Sequence, residues 1–140
     1  MDSAKLAACL RKDRYGDFRL TNAVRPDPDS GVIPGEGYRL MRHYNSASGA
    51  STPALVATVS SERLFDVFLE LLGLFGDVVN AVLETSHEIE TDNHRDFFRE
   101  QIELTVLKSV FCDFEDLLLN DGCTGVAVNS GDPLVEAQFD

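Results

Sequence analysis

The chain has 140 residues, 44% of them hydrophobic and 26% charged, and a formal net charge of −12. That length and composition suit one domain with a real core and exclude wholesale disorder, and no apolar run reaches the ~20 residues that a bilayer-spanning helix needs. The acidity is uneven: residues 1–53 carry eight basic and six acidic side chains, residues 54–140 four and eighteen, so the acidic part would repel phosphate backbones and nucleic acid is not an expected partner.

The first residues, MDSAKLAACLRKDRYGD, lack an apolar stretch followed by a small-residue cleavage site, so no secretory signal is expected. Cys9, Cys112 and Cys123 are odd in number and have no metal-like spacing, which fits a reduced, cytoplasmic protein. Asp2 or Ser3 can cap a short helix with Leu6, Cys9 and Leu10 on one face, ending near Arg14-Tyr15-Gly16. Within 17–24, Phe18 and Leu20 fall on one side of a short strand. The Pro- and Gly-rich stretch 25–37 then breaks regular structure. Tyr38–Tyr44 alternates as a strand should, and 45–53, NSASGASTP, has the composition of a flexible loop. The lead 1–53 is therefore expected to be loosely structured, within a single domain whose acidic core is 54–140.

That core is organised around 54–84, an apolar run, an amphipathic segment and a second apolar run, which predict strand, helix, strand. Ala54–Val59 is almost uninterrupted and suits a central strand covered on both faces. Ser60 or Ser61 can cap a helix over 61–75, with Glu62 in its first turn and Leu64, Phe68, Leu71, Leu72 and Phe75 on one face, until Gly76 ends it. Over 78–85, Val79, Ala81 and Leu83 make a drier face, interrupted on the other side by Asn80 and Glu84. Phe97, Leu104, Phe111 and Leu118 recur every seven residues and predict a long helix over 94–119, stopped by Asn120-Asp121-Gly122. Strands at 124–129 and 134–139 flank the turn Ser130-Gly131-Asp132-Pro133 as an antiparallel hairpin.

The expected fold is α+β, a two-layer sandwich. Helices 61–75 and 94–119 lie on one face of a mixed or mostly antiparallel sheet of 54–59, 78–85, 124–129 and 134–139, with 38–44 at an edge.

Chemistry is sparse. His87, Glu88, Glu90, Asp92 and His94 fall within eight residues and offer zinc-type or non-haem-type ligands. Their spacing is not a helical HExxH, however, and a solvated loop with Asp92 capping a helix accounts for the same residues. Ser86 and His87 would point to opposite faces of a strand, and Gly35-Glu36-Gly37 lacks the strand, third glycine and helix of a phosphate loop. His43 with Arg39 and Arg42 could meet an anion, or simply guard a strand edge. Cys112 and Cys123 lack the positive surroundings of a reactive thiol. No catalytic or cofactor-binding residues are assigned. The expectation is a non-enzymatic module that binds another protein or its own copy. The alternatives are a small-ligand sensor with a pocket between helix and sheet, or a metal-dependent hydrolase using the 87–94 loop.

Overall fold

A computed structural model describes residues 2–87, 94–131 and 135–139. The chain is mixed α+β, with four helices and antiparallel sheets among the described residues. It divides into two compact units, Met1–Leu20 with Pro26–Leu64, and Thr21–Arg25 with Phe65–Asp140.

In the first unit, Asp2 accepts a hydrogen bond from the Ala4 amide and caps α1 (Ser3–Arg11), as its sequence position suggests. Two-residue strands β1 (Arg14–Tyr15) and β2 (Phe18–Arg19) pair through a turn in which Gly16 takes a φ of 60°. Phe18 and Leu20 are buried, as their alternation predicts. The remaining strands are β3 (Gly37–Tyr44) and β4 (Ser51–Thr58), an antiparallel hairpin separate from the other sheets. This corrects the expected place of 54–59. A run of Ala, Leu and Val reads equally as a strand covered on both faces or as one covered on neither, and among the described residues β4 pairs with β3 alone. Residues 45–53, expected as a loop, supply a tight turn and the first three residues of β4.

α2 (Ser61–Leu72) begins in the first unit, and the boundary between the units falls within it, after Leu64. Of the two expected caps, Ser60 or Ser61, Ser60 meets the first turn through its backbone. Its carbonyl accepts from the amides of Arg63 and Leu64, while its hydroxyl accepts from the Arg19 amide. Residues 73–75 close the helix with tightened bonds to Glu70, Leu71 and Leu72, and Gly76 follows with a φ of 89°.

The second unit holds a four-stranded antiparallel sheet in the order β6-β5-β7-β8. Its strands are β5 (Val78–Thr85), β6 (Arg95–Glu103), β7 (Thr124–Asn129) and β8 (Glu136–Phe139). β7 and β8 form the expected hairpin. The single long helix expected over 94–119 does not form. Residues 95–103 are a strand, α3 runs only from Leu104 to Asp113, and α4 (Glu115–Asn120) starts anew after Phe114. Charges at 95, 96, 99, 100 and 103 repeat at helical spacing, yet pairing with the open edge of β5 wins over that local pattern. A bulge accompanies the pairing. Gln101 adopts a φ of 54°, and its amide donates to Asn80 Oδ1 at 3.1 Å, while Asn80 Nδ2 donates to Asn129 Oδ1 on the next strand. The core is built on Leu72, Val79 and Val128, all but inaccessible, with Phe68 of α2 placing its ring 5.9 Å from Phe111 and 4.9 Å from Phe139.

Candidate functional site

The β3–β4 hairpin is shaped by its turn. Asn45 Oδ1 accepts from the amides of Ala47 and Ser48, the Asn45 carbonyl accepts from Gly49, and Gly49 supplies the left-handed φ of 72° that lets the chain return. The Asn45 amide donates to the Ala50 carbonyl, so pairs alternate outward from there. Tyr44–Ser51, Arg42–Pro53, Leu40–Leu55 and Tyr38–Ala57 are then the non-hydrogen-bonded pairs, with side chains closest together. Pro53 thus lacks its N–H on the open edge, where no ladder bond is lost.

Residues opposed in register share a face. One face therefore carries Tyr38, Leu40, Tyr44, Leu55, Pro53 and Ala57, with Arg42 as its only charge. Arg42 is tied down, donating from Nε to Ser51 Oγ at 2.8 Å and from a terminal nitrogen to the Ser51 carbonyl. The exposures decide what this face is: Tyr38 74%, Leu40 72%, Tyr44 66% and Leu55 58%. A monomer in water rarely leaves so contiguous an apolar surface open without a use for it. The reverse face mixes Met41, Val56 and Ala54 with Arg39, His43 and Thr52, and residues 37–58 contain no acidic side chain.

The first unit also holds a cavity of about 380 Å³, lined by Tyr15, Phe18, Glu36, Ser60, Glu62 and Arg63 among others. Two of its lining carboxylates, Glu36 and Glu62, are paired with arginines, and Asp17 adds a third carboxylate. Glu36 accepts from the Ser60 amide and takes both carboxylate oxygens to the Arg63 guanidinium at 2.9 Å, and these hold its pKa below the ordinary value. Glu62 is lowered by its hydrogen bond from Arg14, 2.6 Å away.

Of the five candidate ligands, Glu88, Glu90 and Asp92 lie outside the described residues. His87 Nε2 lies 2.5 Å from Asp121 Oδ2. That carboxylate also accepts from the Cys123 amide and the Thr124 hydroxyl; the amide, then the hydroxyl, then His87 depress its pKa. His94 Nε2 lies 2.8 Å from Asp96 Oδ1. The structure groups His94 with Asp96 and Glu84, one ligand atom from each lying within 4.8 Å of the others. Glu84 and Asp96 are not among the ligands expected from sequence. The register that faces them requires 95–103 to be a strand, and the helical spacing of its charges conceals that. No described helix is long and apolar enough to cross a membrane.

Among known proteins, no family model matches the chain, and no curated protein or solved structure matches it either.

Proposed function

We propose that this chain is a non-enzymatic, self-associating module, and that the Tyr38–Leu40–Tyr44–Leu55 face of its hairpin packs against the same face of a second copy. The observation that carries this reading is the exposure of those four side chains on one side of a two-stranded ribbon. Such a ribbon is marginal without a third strand or a covering layer, so a partner would stabilise the hairpin as well as the assembly.

Three features favour a second copy as the occupant. The face is apolar with its single charge held at Ser51, so it complements itself across a two-fold axis. Two copies each bearing −12 repel one another, and residues 37–58 are an acid-free stretch through which they can approach. Burying two tyrosines and two leucines from each copy removes roughly 800 Å² in all, in the range of weak and reversible rather than permanent interfaces. Face packing is preferred to strand addition because Pro53 interrupts the donors along the open edge of β4.

The fold proposed beneath this is two-layered in the second unit, with α2 and α3 over the sheet face that carries Val126, Val128 and Phe139. Its support is the Phe68 ring lying against both Phe111 and Phe139. Self-association is preferred to a small-ligand sensor because Glu36 and Glu62, two of the charged groups around the 380 Å³ cavity, are already taken by Arg63 and Arg14.

Size-exclusion chromatography with light scattering tests the reading. The apparent mass should rise from 15.4 kDa toward twice that value with loading concentration, and rise further when salt screens the acidic repulsion. A mass fixed at the monomer value at every concentration and salt would remove the reading.

A further inference from the structure

We propose that Glu84, His94 and Asp96 form a binding site for a divalent transition-metal ion of the zinc class. The site stands on observations independent of the hairpin.

Glu84 on β5 and Asp96 on β6 are direct cross-strand partners, so the backbone register, and not a chance rotamer, faces two carboxylates toward each other. Like charges in that position destabilise a sheet unless something positive lies between them. His94, one residue before β6, brings Nε2 to 2.8 Å from Asp96 Oδ1, and all three ligand atoms lie within 4.8 Å of one another. Glu84 is half-buried, and among the described residues its carboxylate receives no hydrogen bond or ion pair. Small torsional changes bring three such atoms to the ~2.0–2.2 Å at which zinc takes nitrogen and oxygen ligands.

The donor set selects the class of ion. One imidazole with two carboxylates suits zinc, manganese or ferrous iron. Calcium asks for six or more oxygens, and a soft copper(I) site would ask for thiolate or thioether. Two ligands sit on paired strands of a four-stranded sheet, which limits how far they can stray from a bound ion. Three protein ligands leave the fourth tetrahedral position of zinc to water.

The test uses the full chain without a histidine tag, freed of metal with chelator and then titrated with zinc by calorimetry, with native mass spectrometry for stoichiometry. One zinc per chain is expected, with affinity falling at least tenfold in each of Glu84→Gln, His94→Ala and Asp96→Asn. His87→Ala, whose ring lies against Asp121, should bind as the parent does. Without metal, Glu84→Gln should melt no lower than the parent, because it removes a like-charge contact. That outcome separates a lost ligand from a lost fold. No stoichiometric zinc in the parent, or binding that survives all three substitutions, would overturn the proposal. So would a loss in His87→Ala equal to that in His94→Ala.

Discussion

Phe68→Ala probes the core of the second unit most sharply. The ring is 4% exposed and lies within 6 Å, centroid to centroid, of both Phe111 and Phe139. Removing a buried phenylalanine costs about 3–5 kcal/mol through lost transfer energy and the cavity left behind. Each tilted ring pair adds about 0.5–1.5 kcal/mol beyond the area it covers. Against a typical stability of about 5–15 kcal/mol, the variant should remain foldable but sit near the lower limit. Urea unfolding followed by circular dichroism should show a midpoint far below the parent's with an unchanged slope. A double-mutant cycle of Phe68→Leu with Phe139→Leu should return a coupling of about 1 kcal/mol. A cost below about 1 kcal/mol for Phe68→Ala, or zero coupling to Phe139, would mean that β8 and α2 do not share a core.

Acid should weaken the chain in a defined window. Glu36, Glu62 and Asp121 all have pKa values lowered in the folded state, from ordinary values of 4.5, 4.5 and 3.8. Their contribution is therefore complete above those values and is lost as pH falls through the depressed ones. Urea midpoints from pH 7 to 3 should drop below about pH 4.5, and Glu36→Gln should flatten the drop; an equal slope in that variant would refute the assignment. Gly122→Ala should destabilise by about 1–3 kcal/mol, because a Cβ there would stand 2.8 Å from the Ala23 carbonyl oxygen, and a thermal melt unchanged from the parent would show that the two segments do not pass so closely.

Much of this molecule is legible wherever one residue type has one common use. Asp2 before a short amphipathic run marks the cap of α1, the β-branched runs at 78–85 and 124–129 mark two strands to the residue, and Asn120-Asp121-Gly122 marks the end of α4. The failures share a cause: a local pattern compatible with two environments, decided by distant partners. Ala54–Thr58 reads the same whether its neighbours lie on both sides or on one, and only the Asn45 turn, a short run of small polar residues, assigns it to β3. Residues 95–103 carry helical charge spacing, but β5 needs a partner on its outer edge, and the Gln101 bulge absorbs the misfit. That strand also sets Glu84 against Asp96, so reading it as helix hides two of the three residues grouped around His94.

Sedimentation velocity on the parent and on Leu40→Asp with Leu55→Asp is the most direct test of self-association through the hairpin. Both leucines are more than half exposed in the monomer, so the substitutions should leave the fold, and its circular dichroism, unchanged. The parent should show a reversible monomer–dimer equilibrium with a dissociation constant on the order of micromolar or weaker, and the variant a single monomeric species at every concentration. A variant that dimerises like the parent, or a parent that stays monomeric throughout, would contradict self-association through this face.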